Sequence, residues 1–235
     1  MTLIVATLCP EGIALAADSK CTVSRCWTDS EAREVKREIS GFVTNSQKMV
    51  LTDNNVGIAF CGGMNMKGRP MALFLSDYFK AHTGLNAQQV AEEIGRLYRE
   101  DASVGDSEAL VAGYMPGRGC KKPCVFDVTS EQPDRVRRVK NPGITWAGQS
   151  DVVDRIFGKG MTIRDGRKKV QIPEYPFLFA GFSLQDAVDL SVLCVEMTYR
   201  TMRFQDREQT VGPPIDVLVI TQDGGRWFRK RDIIV

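Results

Sequence analysis

Histidine is almost missing from this chain: His82 is the only one in 235 residues. Cys120 and Cys124 could be half of a zinc site, but the other two ligands have no visible motif. The seven cysteines are Cys9, Cys21, Cys26, Cys61, Cys120, Cys124 and Cys194, an odd and scattered set. Such a set makes no disulfide framework and suits a reducing compartment, with free and mostly buried thiols. No apolar run approaches the ~18 residues of a membrane span. The opening Met1–Leu8 stretch is apolar, but it is short and has no basic flank, unlike a secretory signal. The expectation is a cytoplasmic protein without membrane contact.

Charge of one sign is also lacking. Lys and Arg number 31 against 29 Asp and Glu, a net +2, too little to mark a nucleic-acid binder. The basic clusters at Arg135–Lys140, Arg164–Lys169 and Arg229–Arg231 carry no stacking platform for bases, and read as solvated or contact faces. Neither a Walker loop nor a dinucleotide fingerprint occurs, so no cofactor is expected. There is no internal repeat and no low-complexity linker. What remains is 43% hydrophobic and 26% charged, enough apolar residue for a globular core. One domain over residues 1–235 is expected.

Periodicity gives a coarse order of elements. Apolar runs at 3–9 and 13–18 flank Cys9-Pro10-Glu11-Gly12 and read as a hairpin. Residues 21–44 are polar, with Glu31–Glu38 readable as a short helix or a loop. Strands are expected at 49–51 and 56–61, and helices at 69–81 and 86–100, with Asn86 as N-cap. Strands follow at 108–115, 123–128, 135–139 and 144–147, then a helix at 149–158. Ser183–Asp186 is a capping-box start for a long amphipathic helix, and the chain closes with strands at 215–221 and 226–228. Strands, two helices, strands, two helices, strands is the order of one α+β domain in which helices cover stacked sheets.

The chemistry centres on Thr2. Initiator methionine is commonly trimmed before a small residue, which would leave an α-amine on threonine. That amine has an ordinary pKa of about 7.7–8.0. It can act as the base for its own hydroxyl, a known nucleophile arrangement. Taken alone, Met-Thr is a common start and an ordinary strand residue. A three-residue loop with a bulge at Gly12 would pair Cys9 with Ile13, Ile4 with Asp18 and Thr2 with Lys20, placing Thr2 and Asp18 on one sheet face. A two-residue loop would put Asp18 on the opposite face. Lys48, just before Met49-Val50-Leu51, is either a solvated strand-end lysine or a cation paired with Asp18. The Gly62 N–H, in Cys61-Gly62-Gly63, is either part of a turn or an oxyanion donor.

Together these residues resemble the proteasome family of N-terminal nucleophile hydrolases, its β-type subunits in particular. The resemblance is carried by Thr2–Ala6, Glu11–Lys20, Lys48, Val56–Gly63 and Ile215–Thr221. The separations from Thr2 to Asp18 and from Lys48 to Gly62 match the family's. The resemblance implies a four-layer α/β/β/α sandwich, two stacked antiparallel sheets covered by helices. It implies a threonine-type peptidase with Thr2 as nucleophile, Asp18 and Lys48 as a tuning charge pair, and Gly62 as oxyanion donor. It further implies homo-oligomeric rings, peptide or unfolded protein as substrate, and an ATP-dependent unfoldase as a partner such rings can take. A catalytically inactive scaffold subunit is the alternative. Three departures stand out. The segment 21–44 is longer than in the family and is expected to form an extra hairpin or arm. Gly148 is followed by Gln149 and then Ser150, where the family places its serine one position earlier. Asp206, Glu208 and Thr210 fall in no clean register with the family's late aspartate and serine. Ser150 is nonetheless the candidate for the helix-start serine. Lys48 is expected within hydrogen-bond reach of both Thr2 and Asp18.

Overall fold

The structure is a computed structural model, and it describes residues 2–28, 35–117, 119–139, 142–157, 162–166, 168–171 and 175–229. The chain opens with strands β1 (Leu3–Cys9) and β2 (Gly12–Asp18), followed by β3 (Cys21–Thr28), β4 (Val35–Val43), β5 (Met49–Leu51) and β6 (Gly57–Cys61). A small pair, β7 (Asn65–Met66) and β8 (Arg69–Pro70), leads into helices α1 (Met71–Ala81) and α2 (Ala87–Glu100). Then come β9 (Glu108–Met115), β10 (Lys122–Thr129), β11 (Arg137–Arg138), β12 (Gly143–Gly148) and helix α3 (Asp151–Phe157). The pair β13 (Thr162–Asp165) and β14 (Lys168–Gln171), helix α4 (Leu184–Met202), β15 (Ile215–Thr221) and β16 (Gly224–Arg229) complete it.

The order in the first sheet is β12-β1-β2-β15-β16, and in the second β11-β10-β9-β6-β5, with antiparallel neighbours throughout. The protein is thus a mixed α+β structure with several antiparallel sheets and four α-helices among the described residues. None of those helices is long and apolar enough to cross a membrane.

Three apolar clusters hold these parts together. In the first, Leu75, Phe79, Val90, Ile94 and Leu97 of α1 and α2 pack on Ile58, Phe60, Val111 and Phe126 of the second sheet. In another, Ala187, Cys194 and Val195 of α4 and Val153 of α3 pack on Leu3, Val5, Val217 and Val219 of the first sheet. The third lies between the sheets, where Ile4, Leu8, Leu15 and Leu218 meet Met49, Ala59, Leu110 and Val125. A strand covered on both faces must be apolar at consecutive positions, which explains why β1 and β2 are buried at every residue. Alanines at 14 and 16 leave room for α4, and the buried hydroxyls of Thr7 and Ser191 satisfy each other across that interface at 2.8 Å.

The first hairpin corrects the expected register. Cys9 pairs with Gly12 and Ile4 with Ala17, so the loop is the two residues Pro10-Glu11 and there is no bulge. Gly12 is required for another reason: a Cβ there would lie 2.5 Å from the Ile220 carbonyl oxygen. Asp18 therefore stands opposite Leu3, on the α4 side of the sheet, whereas Thr2 continues the inter-sheet side of Ile4 and Ala6. β3 and β4 pair antiparallel, so 35–38 is strand rather than helix, and the rest of Glu31–Glu38 lies outside the described residues. The last hairpin turns at Gln222-Asp223, because Gly224 already pairs with Thr221.

Candidate active site

The start of β1, the end of β2 and the end of β12 meet at one edge of the first sheet. Thr2 is 3% exposed there. Its carbonyl accepts the Gln149 N–H at 2.7 Å. The approach is close enough to demand glycine at 148, where φ is +89° and a Cβ would sit 2.0 Å from the Thr2 oxygen. Beneath it, the second sheet ends in a cross-strand row of Cys61, Glu108 and Thr129. Between the sheet ends lies a cavity of about 240 Å³, lined by Thr2, that row, Gly62 and Gly148 among others. Gly62 has φ +92°, and a Cβ there would lie 2.0 Å from the Asp106 carbonyl oxygen. Ser107 fixes this turn: its Oγ accepts the Gly63 N–H at 2.8 Å and donates to the Val104 carbonyl at 2.6 Å.

Asp18 and Lys48 are both fully buried and form an ion pair at 2.9 Å. Asp18 also accepts the N–H groups of Leu3, Lys20 and Gly212, each at 3.1 Å. Lys48 Nζ also donates to the Lys20 carbonyl, at 2.5 Å. Because Asp18 ends its strand, its carboxylate reaches round the sheet edge despite facing the α4 side. It ties β1, β2 and the segment before β15 to one point. Burial pushes the Asp18 carboxyl up and the Lys48 ammonium down, while their attraction pulls both back. An ammonium so weakened sheds a proton more easily than a solvated lysine. Burial also holds the Cys61 thiol at about 12, so it stays protonated and unreactive.

Of the sequence-derived candidates, the fold brings Thr2 and Gly62 to one cavity and seats Asp18 with Lys48 at the adjoining strand ends. The expected contact between Lys48 and Thr2 is absent among the described residues, and Lys48 does not line the cavity. Ser150 is not on the cavity wall either. It starts α3, where its hydroxyl donates to Asp154 Oδ2 at 2.6 Å and its carbonyl accepts the Asp154 N–H. Asp206 and Glu208 are exposed, and Thr210 is buried with its hydroxyl unpartnered.

Sequence reasoning missed Glu108 and Thr129. Their only local signal is a polar residue at each strand end, and the register that places them opposite Cys61 is not visible in the sequence. It also missed Arg207, which reaches Asp151 at 3.0 Å and pins the segment before β15 to the turn behind Thr2. Gln149 shares that link through Asp151 at 2.5 Å. A larger cleft of about 700 Å³, lined by Pro10, Glu11, Asn55 and Asp223, adjoins the β1–β2 turn. It lies at the other end of β1, roughly 20 Å from Thr2 by strand length.

No protein-family model matches the sequence, and no curated protein matches it. Solved structures do resemble it. Two are of Anbu from Hyphomicrobium sp. strain MC1. The Gly-1 mutant is 16% identical with a TM-score of 0.63, over 98% of this chain and 86% of that one. The other is 14% identical with a TM-score of 0.62, over 98% and 88%. Anbu (ancestral beta-subunit) from Yersinia bercovieri is 13% identical with a TM-score of 0.58, over 96% and 86%. At such identities the likeness is one of fold, and the fold this chain shares is that of Anbu.

Proposed function

We propose that this chain is a threonine-type peptidase of the proteasome class, a four-layer α/β/β/α sandwich over residues 1–235. The three apolar clusters support four layers, since each fills one of three successive interfaces. One observation carries the catalytic reading: a fully buried Asp18–Lys48 pair at the head of β1, beside a buried threonine that opens into a cavity walled by Gly62. Neither charge is placed there for stability alone, because a buried ion pair rarely outperforms an apolar one.

Removal of Met1 frees the Thr2 α-amine. The amine takes the hydroxyl proton as Thr2 Oγ1 attacks a peptide carbonyl, and the Gly62 N–H stabilises the resulting oxyanion. The amine then hands its proton to the leaving nitrogen, the C–N bond breaks, and an ester links the acyl group to Thr2. Water, deprotonated by the same amine, hydrolyses that ester. Asp18 and Lys48 are the charge pair that tunes the nucleophile from the start of β1, and Ser150 orders the turn that binds the Thr2 carbonyl. The site would act within a ring of copies that takes peptide or unfolded protein, with an ATP-dependent unfoldase as a candidate feeder.

Intact mass and N-terminal sequencing of the purified chain test this. The expected result is loss of Met1 and a stoichiometric adduct with an electrophilic peptide, absent from Thr2→Ala. A Thr2→Ala variant that still hydrolysed peptides would falsify the assignment. A second reading, an inactive scaffold subunit, is favoured by the missing Lys48–Thr2 contact and by the engagement of Ser150 with Asp154. Retained Met1 is its signature.

A further inference from the structure

The cavity beside Thr2 has a wall of one charge. Asp106, Glu108 and Glu131 line it, and among the described residues no lysine, arginine or histidine does. Glu108 faces inward by register. Leu110 and Ala112 on the same strand belong to the inter-sheet cluster, and Ala109 and Val111 belong to the helix-covered one. Its cross-strand neighbours Cys61 and Thr129 face the same way and line the same cavity. Thr2 comes down on this row from the first sheet. Its side chain is almost wholly buried, lines the cavity and makes no hydrogen bond among the described residues.

Glu108 is half-buried and forms no ion pair among the described residues. The Gly148 N–H steadies its carboxylate. Burial first, and then the charge of Asp127, push that carboxyl up, the mark of an anion short of a cation. The nearby cations are already committed: Arg137 to Asp127 Oδ2 and Lys48 to Asp18. Even so, Asp127 Oδ1 is left buried without a partner. The three lining carboxylates are not grouped as a metal site would be. The cation they suit is extended and organic. At about 240 Å³ the space is below the usual drug-sized pocket and fits one long side chain.

We propose that this cavity is a cation subsite that selects substrates with lysine or arginine at the residue whose carbonyl Thr2 attacks. Glu108 is the specificity-determining residue, and Asp106 and Glu131 draw the side chain in at the rim. Acyl-side selection follows from position, because the cavity wall contains the attacking residue itself. The inference rests on the peptidase reading above.

Two measurements on the full chain test it. The first compares kcat/KM for matched fluorogenic peptides ending in Arg, Leu or Glu. Arg should exceed Leu, and Glu108→Gln, which keeps the shape, should lower the Arg-to-Leu ratio by about 10-fold or more, as expected for loss of a charged hydrogen bond. Glu108→Lys should move preference toward Glu. The second needs no turnover: titration with benzamidine and butylamine, followed by NMR. Both should perturb residues at the cavity, less so in Glu108→Gln, with thermal melts confirming that the variant is folded. Thr2-dependent cleavage after apolar residues, unchanged by Glu108→Gln, overturns the subsite and leaves the peptidase standing. Absence of any Thr2 adduct or cleavage, with amine binding intact, overturns the peptidase and leaves a cation-binding cavity. Absence of amine binding together with no Arg preference ends the inference.

Discussion

Among single residues, Lys48 is the sharpest test, because it is fully buried and, among the described residues, its ammonium meets only Asp18 and a carbonyl. Lys48→Met should abolish Thr2-dependent labelling. It should also cost about 3–5 kcal/mol of stability, the usual result of orphaning one member of a buried pair. That deficit should depend on pH with a definite sign. Burial already holds the Asp18 carboxyl above its ordinary value, and loss of the cation raises it further. A carboxyl raised in the folded state contributes stability fully below its unfolded pKa, about 3.9, and loses it as pH rises through the folded value. The deficit of Lys48→Met is therefore expected to be largest at neutral pH and to shrink toward pH 4. Urea melts of both proteins across that range give the answer, and a deficit that grew on acidification would contradict it. Gly148→Ala probes the same corner by shape. At φ +89°, with the Thr2 oxygen 2.0 Å from the new Cβ, it should displace Thr2 and end labelling. The strained backbone adds a cost of about 1–3 kcal/mol.

At the scale of elements, α2 is the cleanest case of sequence reading through to structure. Asn86 accepts the Gln88 and Gln89 N–H groups, and Gln89 returns a bond to the Asn86 N–H, a complete capping box. Asn86→Ala should lower stability by about 0.5–2 kcal/mol, measured by thermal or urea melts, without altering peptide preference, since α2 does not touch the cavity. Ser183 with Asp186 does the same for α4. Both helices were legible because their signals are local: a cap, a period of 3.6 and a polar face. Register was not local. The Pro10-Glu11 turn looked like a bulged loop because Gly12 invites a left-handed residue. In fact Gly12 is small to clear the carbonyl of Ile220, more than two hundred residues away in the chain. The same non-locality hid Glu108, whose role depends on pairing with Cys61. Asp18 and Lys48 can be named from the sequence because the resemblance supplies them, although a bulged loop would place Asp18 opposite Ile4 and the structure places it opposite Leu3. The carboxylate reaches Lys48 only because it ends its strand.

For the whole molecule, the question is whether three clusters make one cooperative unit. Each lies at a separate interface, but every one shares a sheet with the next, and β1 contributes Leu3 and Val5 to one cluster and Ile4 and Leu8 to another. A strand cannot lose one face and keep the other, so melting either interface removes the partner of both. The inter-sheet cluster and the cluster under α1 and α2 are coupled in the same way through Ile58 and Ala59 on adjacent positions of β6. Three substitutions sample the interfaces in turn: Leu97→Ala under α2, Leu15→Ala between the sheets, and Met202→Ala under α4. All three residues are no more than 1% exposed. Each should cost about 2–5 kcal/mol. For a chain of this size that is about 2–4 °C of melting temperature per kcal/mol. If the clusters are one unit, calorimetry gives a single transition in each variant, moved as a whole and to a similar extent. A transition that split, with only one half shifted by Met202→Ala, would show that the α4-covered sheet unfolds by itself. The start of β1 and its threonine would then belong to a separable part of the molecule, rather than being held by the whole fold.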